Sequence, residues 1–220
     1  MKYFNLIILF SVLVSCSDIP SGAKNVLAVN APTKALSVNA NQEISHEKEF
    51  EFFKQKLNEE FTNPETSPLE KKDLKYFKQL DFFPFSKDLI VTAQVELTPD
   101  TNYFGLPTTT SRMPNYRQYA LLYFEIEGKS YTLPVYQSKE VSVGYEDHLF
   151  LPFSDLTNDE ETYGGGRYID AKIPTGDTMI VNFNYAYNPY CAYNHKYSCP
   201  KIPAENNLNI AIKAGVKKIH

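Results

Sequence analysis

The stretch QYALLYFEIEGKSYTLPVYQ, residues 118–137, decides the fold class. Apolar and polar residues alternate on both sides of Gly128, and alternation with a period of two is typical of half-buried β-strands. Glycine accepts a positive φ and therefore suits the tight turn that joins two antiparallel strands. The stretch predicts a β-hairpin made of Gln118 to Glu127 and Ser130 to Gln137.

Similar short segments recur on either side of the hairpin and are separated by Pro, Gly, Asn and Asp. The further strand candidates are Leu89 to Leu97, His148 to Phe153, Tyr168 to Ile173, Thr178 to Phe183 and Leu208 to Lys213. No repeat of 20 to 50 residues is visible in the sequence. The pattern predicts a mainly β domain, built as an antiparallel sandwich or barrel.

Two helices are predicted ahead of the strands. Apolar residues recur at spacings of three and four from His46 to Phe61, as an amphipathic helix requires, and Ser45 is placed to cap it. A second short helix is indicated at Ser67 to Glu70, where Pro68 occupies the first helical position and the apolar face continues to Leu80. With one or two N-terminal helices packed on the sheet, the class is α+β overall.

Length and charge limit the classes of protein. The 220 residues suit a single domain, and 43% hydrophobic residues are enough to form a core. Lys and Arg number 22 against 26 Asp and Glu, a formal charge of −4, so no basic field for nucleic acid is present. Nucleic acid is therefore excluded as an expected partner.

The N-terminal residues have the pattern of a targeting segment. Lys2 precedes an apolar run over residues 4–14, which is shorter than the roughly 20 residues needed to span a bilayer. Residues 13–16, Leu-Val-Ser-Cys, resemble a lipobox, so residues 1–16 are expected to be a lipoprotein signal peptide with Cys16 as the lipidated residue. An ordinary signal peptide cleaved nearby is the alternative.

Either interpretation takes the mature chain out of the cytoplasm. Residues 17–45 contain no aromatic side chain and predict a flexible tether, and residues 46–220 are expected to form one globular domain. The expected location is the cell envelope, on the outer membrane or a periplasmic face. The membrane is then the first expected partner, through the lipid anchor.

Four strings in the C-terminal part resemble the bacterial family called domain of unknown function 1684. They are residues 106–112 (LPTTTSR), 145–153 (ending LFLPF), 161–170 (ETYGGGRYID) and 186–200 (AYNPYCAYN followed by YSCP). The resemblance covers about residues 67–216 and implies one domain of bacterial origin, but no biochemical activity. His195 is not part of the family's motif, and this counts against a metal site that depends on it.

Cys191 and Cys199 are the only cysteines left once Cys16 is lipidated. Seven residues separate them, and an exported chain meets oxidising conditions, so a disulfide is the first interpretation. Two alternatives stay open: a metal site made of both cysteines, His195 and either His148 or Asp170, and a redox-active pair. No metal or other cofactor is expected in the leading interpretation.

The triple glycine is the most informative string of the sequence. Gly164, Gly165 and Gly166 permit a backbone nest for an anion, between Tyr163 and the forked cation of Arg167. The alternative is a simple bend between strands, with Arg167 paired to Asp170 or Asp177. No Walker or dinucleotide-binding motif is present.

A binding cleft is the leading functional expectation. Its expected lining comprises Arg112, Tyr163, Gly164, Gly165, Gly166, Arg167, Tyr187 and Asn188. Aromatic walls with a few polar groups suit a small polar or anionic ligand, or a glycan fragment from the cell wall.

Two further functions remain open. One is an envelope hydrolase that uses Glu161 or Asp170 as acid or base, with no catalytic residue fixed by a motif. The other is a docking module whose tyrosine-rich surface, including Tyr193, contacts another envelope protein.

Overall fold

The computed structural model describes residues 45–99 and 101–218. Within these residues the helices are α1 (His46–Thr62) and α2 (Lys71–Leu74). The strands are β1 (Ile90–Leu97), β2 (Phe104–Gly105), β3 (Asn115–Ile126), β4 (Lys129–Ser138), β5 (His148–Phe153), β6 (Arg167–Lys172) and β7 (Thr178–Asn182). They form one curled antiparallel sheet in the order β6-β5-β4-β3-β1-β7, with β2 added on β3, which confirms the predicted mainly β, α+β class.

The hairpin predicted around Gly128 is present as β3 and β4. Their pairing runs from Tyr116 opposite Ser138 to Ile126 opposite Lys129. Glu127 and Gly128 both have positive φ, 53° and 70°, as a two-residue turn between twisted strands requires. The alternation read from the sequence therefore describes this hairpin well.

Apolar side chains pack on both faces of the sheet. On β5, Leu149 and Leu151 belong to a cluster with the C-terminal segment, whereas Phe150 belongs to a second cluster that contains α1. Because side chains alternate along a strand, β5 is buried on both of its faces. The second cluster is the one that holds the tyrosine-rich loops after β7.

The first predicted helix is confirmed. Helix α1 begins at His46, and the Ser45 side chain accepts a hydrogen bond from the Lys48 amide. The second predicted helix is wrong in length, because α2 is a single turn after Glu70. Beyond that turn, the Leu80 amide donates to the side chain of Asn58 at 2.7 Å, so the chain lies along α1 without forming further helical turns.

The strand predicted from Leu208 to Lys213 is also wrong. Leu208 and Ile212 are buried as the apolar pattern suggested, but this segment is irregular. Its backbone is satisfied partly by backbone groups, since the Leu208 amide donates to the Ser154 carbonyl and the Leu156 amide donates to the Ile210 carbonyl. Side chains satisfy the rest: the Ile212 amide donates to Asp155, and the Ile212 carbonyl accepts from Arg167.

The predicted signal peptide and most of the tether lie outside the described residues. No helix among residues 45–99 and 101–218 has the length and apolar character needed to cross a bilayer.

Candidate functional site

Arg167 lies in the interior of the domain. Its guanidinium donates to the Asp155 carboxylate at 2.7 Å, to the Ile212 carbonyl at 2.8 Å and to the Ala214 carbonyl, and its side chain is 0% exposed. The expected ligand-facing role disagrees with this placement, because no part of the guanidinium reaches solvent. The expected partners were also different, since Arg167 pairs with Asp155 and with neither Asp170 nor Asp177.

The triple glycine forms a turn whose three positions are each occupied by neighbouring atoms. A side chain at Gly164 would collide with the Asp159 carboxylate, and one at Gly165 would collide with the Tyr163 ring. Gly166 has a φ of 85°, and a Cβ there would lie 2.8 Å from the Phe153 carbonyl oxygen. Close packing therefore requires glycine at these three positions, which agrees with the alternative expectation of a simple bend between strands.

Tyr187 and Asn188 are also buried. The Tyr187 hydroxyl donates to Asp170 at 3.0 Å. The Asn188 amide donates to the Lys217 carbonyl at 2.9 Å and to the Tyr193 hydroxyl at 3.1 Å. Asn188 thus ties the C-terminal segment to the loop after β7, and it does not line an open cleft.

The structure instead brings together a group that we call the polar cluster: the partly exposed His148 and Asp170, and the buried Tyr187. Asp170 lies on β6, and its carboxylate accepts from Tyr187 through one oxygen and contacts His148 Nε2 through the other at 2.8 Å. The side chains of His148 and Asp170 are 24% and 11% exposed. Burial, and then the adjacent Asp170 carboxylate, raise the pKa of Tyr187, so its hydroxyl keeps its proton and donates.

Register explains how the polar cluster forms. Phe150 on β5 pairs with Asp170 on β6, which places His148 diagonally across from Asp170 on the same face. Phe150 itself packs edge-on against Tyr168 and tilted against Tyr116. The carboxylate therefore lies beside a wall of aromatic rings.

Tyr116 packs its ring on Phe150 beside the polar cluster. Burial raises the pKa of Tyr116, the Arg112 cation lowers it, and the Asp170 and Glu140 carboxylates raise it. Arg112 is exposed and donates to the Ser198 carbonyl at 2.6 Å. Of the two arginines expected in the cleft, Arg112 is the one that lies at the surface.

A second group, the thiol cluster, consists of Cys191, Cys199 and Tyr163. Both cysteines are buried free thiols, and the Cys191 amide donates to Cys199 Sγ at 3.2 Å. The Tyr163 hydroxyl lies 3.9 Å from Cys191 Sγ. The two sulfurs are neighbours without a covalent bond between them, and the disulfide stays a prediction.

The alternative metal site is not assembled in the described residues. These residues hold no group of three or more His, Cys, Asp or Glu side chains that could bind a metal ion. His148 and Asp170 contact each other, and His195 is exposed in the loop between the cysteines.

The two acids proposed for hydrolysis lie in different surroundings. Glu161 forms an exposed ion pair with Lys213 at 2.7 Å, whereas Asp170 belongs to the polar cluster.

Tyr193, the residue expected to dock another protein, packs its ring on Phe61 with centroids 4.8 Å apart. Its ring therefore contributes to the core beneath α1.

Sequence reasoning missed Asp155 entirely. The signal was local: Asp155 stands two residues before Thr157, whose amide and hydroxyl both donate to it, in the manner of an Asx turn. The contact between His148 and Asp170 was also missed, although both residues were placed on strands that turned out to be neighbours.

A shallow depression of about 720 Å³ opens elsewhere on the sheet, among residues of β1, β3, β4 and β7. Thr92, Tyr123, Thr132 and Thr178 are among its lining residues. None of the residues expected to bind a ligand lines it.

The comparisons with known proteins agree with the fold and leave the activity open. No curated protein matches the chain. The solution NMR structure of an uncharacterized protein from gene locus rrnAC0354 of Haloarcula marismortui is 29% identical, with a TM-score of 0.62, and the match covers 78% of this chain and 93% of that one. Residues 75–217 match the model of a family described as "Protein of unknown function (DUF1684)". With its fold matched and most of its length inside that model, the chain belongs to the DUF1684 family.

Proposed function

We propose that the chain is a lipid-anchored protein of the cell envelope whose β domain binds a small polar ligand or a glycan fragment. The binding surface is the polar cluster together with Tyr116 and Arg112. Arg167, Asn188 and the glycine turn support this surface from inside the domain. The observation that carries the proposal is the partly exposed carboxylate of Asp170, held between His148 and Tyr187 beside aromatic rings.

The chemistry of this surface favours a ligand with hydroxyl groups and an acidic group. A carboxylate and an imidazole accept or donate hydrogen bonds to hydroxyls, and the rings of Tyr116 and Phe150 supply apolar contact. The planar cation of Arg112 suits a carboxylate on the ligand. A carboxylated sugar combines these properties.

The proposed cell-envelope location rests on residues 1–16. A single acyl chain binds a membrane only marginally, whereas several chains on Cys16 would hold the domain at the surface. Replacing Cys16 by Ala in the full chain is expected to move the protein from the membrane fraction to the soluble fraction of the cell. Retention of the Cys16→Ala protein in the membrane fraction would contradict lipidation.

Ligand binding is tested with N-acetylmuramic acid, a carboxylated sugar, and glucose as a neutral probe. Titration of the full chain in detergent, followed by NMR, is expected to show saturable shifts with the acidic sugar. Asp170→Asn and Arg112→Gln should each weaken binding about tenfold or more, the factor expected from roughly 1.4 kcal/mol. Lys172→Gln is the matched control, because Lys172 shares β6 with Asp170 but pairs with Asp147 at the surface. Equal weakening in all three variants, or no saturable shift, would contradict the proposal.

A second candidate function, hydrolysis, is favoured by the 2.8 Å contact between His148 Nε2 and Asp170. A carboxylate that orients an imidazole leaves the second ring nitrogen to act as a base on water. We expect slow hydrolysis of p-nitrophenyl acetate that is lost in Asp170→Asn and kept in Glu161→Gln. Unchanged turnover in both folded variants would remove this candidate.

A further inference from the structure

Polar groups hold Cys191 and Cys199 next to each other. The Tyr163 hydroxyl lies 3.9 Å from the Cys191 sulfur, and the Cys191 amide donates to Cys199 Sγ at 3.2 Å. Cys199 is held from the other side, since its amide donates to the Thr109 hydroxyl at 3.1 Å and its carbonyl accepts from the Thr109 amide at 2.9 Å. Two separate segments thus hold the two sulfurs in contact.

The two thiols are not equivalent. Hydrogen bonding from Cys199 lowers the pKa of Cys191 to about 7, despite burial, and the hydroxyl of Tyr163 contributes in the same direction. The contact with Cys191 and burial raise the pKa of Cys199. At pH 7 about half of Cys191 is therefore thiolate, whereas Cys199 keeps its proton.

Cys191 is buried, but exposed residues lie near it in the fold. Tyr163 is half-buried, and its ring rests on the exposed turn formed by Gly164 and Gly165. His195 and Lys196, in the loop that connects the two cysteines, are exposed. For a small reagent to reach the buried sulfur, the Tyr163 ring beside it has to move.

We propose that Cys191 and Cys199 form a thiol–disulfide exchange site, in which Cys191 is the attacking thiolate, Cys199 is the resolving thiol and a low-molecular-weight disulfide is the oxidising substrate. The Cys191 sulfur attacks one sulfur of the substrate, its S–S bond breaks, and one half leaves as a thiolate while the other forms a mixed disulfide with Cys191. Cys199 then loses its proton to the solvent, attacks the Cys191 sulfur and releases the second half as a thiolate. In total, two protein thiols are oxidised and one substrate disulfide is reduced to two thiols.

This site goes beyond the proposed ligand binding, because none of the steps involves the polar cluster. It also goes beyond a structural disulfide, because it assigns different roles to the two cysteines and makes the bond reversible by an external dithiol.

The first test is the alkylation of the reduced full chain with a limiting amount of iodoacetamide, followed by peptide mass spectrometry. Only the thiolate reacts, so a pKa near 7 leaves about half of Cys191 reactive at pH 7, against about one per cent for a thiol of pKa 9. We expect Cys191 to be modified first, with a rate that levels off above pH 8. Modification of Cys199 first, or of both at equal rates, would overturn the assignment.

The second test uses 2-hydroxyethyl disulfide as the substrate. The reduced wild-type chain should lose both thiol hydrogens without keeping an adduct, Cys199→Ser should stop at the mixed disulfide on Cys191, and Cys191→Ser should react far more slowly. A stable adduct on the wild-type chain, or an equally fast reaction of Cys191→Ser, would contradict the roles proposed.

The third test separates the role of Tyr163 from simple packing. Tyr163→Phe removes the hydroxyl near Cys191 and should slow its alkylation at pH 7 several-fold, with the same final rate at pH 10. Tyr197→Phe is the matched control, because Tyr197 packs on Tyr190 in the same region. Equal slowing in both variants, or no slowing in either, would show that Tyr163 does not activate the sulfur.

Discussion

The guanidinium of Arg167 and the carboxylate of Asp155 form an ion pair of 2.7 Å in which neither side chain is exposed. The carboxylate also accepts hydrogen bonds from the Ile212 amide and from Thr157, and the guanidinium donates to the carbonyls of Ile212 and Ala214. Both charges are thus neutralised and largely hydrogen bonded without water. The pair attaches the C-terminal segment to the beginning of β6.

Loss of one partner of this pair should be strongly destabilising. Arg167→Ala leaves the Asp155 carboxylate buried without a counter-charge, a situation that costs about 3–5 kcal/mol. The free energy of unfolding, measured by urea denaturation, should fall by this amount. Lys213→Ala is the control, since it removes an exposed ion pair with Glu161 that is worth at most about 1 kcal/mol. An equal fall in the free energy of unfolding in the two variants would mean that the Arg167–Asp155 pair does not hold the C-terminal segment.

The pairing of Arg167 with Asp155 could not be predicted from the sequence pattern. The alternation in residues 118–137 reports which side chains face a core, and β3 and β4 followed it closely. A single arginine gives no comparable signal, because arginines are rarely buried and their partners lie far away in sequence. The binding role expected for Arg167 followed from its residue type, whereas its actual role depends on carbonyls 45 and 47 residues later.

Glu60 should give the domain a measurable pH dependence. Burial raises the pKa of Glu60 above 4.5, with the Tyr190 hydroxyl acting in the opposite direction. A raised pKa in the folded state means that the contribution of Glu60 to stability is complete below pH 4.5 and is lost as the pH rises through the folded-state pKa. Glu60→Gln removes this loss and should be more stable than the wild type at about pH 7 but not at about pH 4.

The neighbouring Glu59 supplies the control for that measurement. It is exposed, and hydrogen bonds from Lys56 and Gln55 lower its pKa, so its contribution is present above pH 4.5 and is lost as the pH falls. The stability curves of Glu59→Gln and Glu60→Gln, each relative to the wild type, should therefore change in opposite directions with pH. Parallel curves would contradict the burial of Glu60.

The hydrogen bond from Tyr187 to Asp170 should stabilise the folded domain. Tyr187→Phe keeps the ring but leaves one Asp170 oxygen without its donor, and such a loss typically costs about 1–3 kcal/mol. Tyr185→Phe should cost less, because the Tyr185 hydroxyl contacts Glu49 at 3.3 Å in a less buried position. Thermal unfolding of both variants makes the comparison. If Tyr185→Phe is the more damaging change, the cluster is not held in this way.

Oxidation of the thiol cluster should stabilise the folded chain. In the chain-entropy model, a bond between residues eight positions apart restricts the unfolded state by about 2.5 kcal/mol. The wild-type unfolding midpoint in urea should therefore be higher without reductant than with it. A double variant, Cys191→Ser and Cys199→Ser, should be insensitive to reductant. A wild-type midpoint that is equally insensitive would exclude a stabilising disulfide.

The glycine turn before β6 should tolerate a side chain poorly, and Gly166 tests this directly. Its φ is 85°, and a Cβ would press on the Phe153 carbonyl and the Ile202 side chain, so Gly166→Ala combines backbone strain with a steric clash. Gly128 is the matched control, because its φ is 70° but no neighbouring atom lies within 4 Å of the position that a Cβ would take. Gly128→Ala should cost only the roughly 1–2 kcal/mol of a left-handed residue, and Gly166→Ala should lower the free energy of unfolding well beyond that. Urea denaturation orders the two variants, and equal costs would mean that the turn can move away from its neighbours.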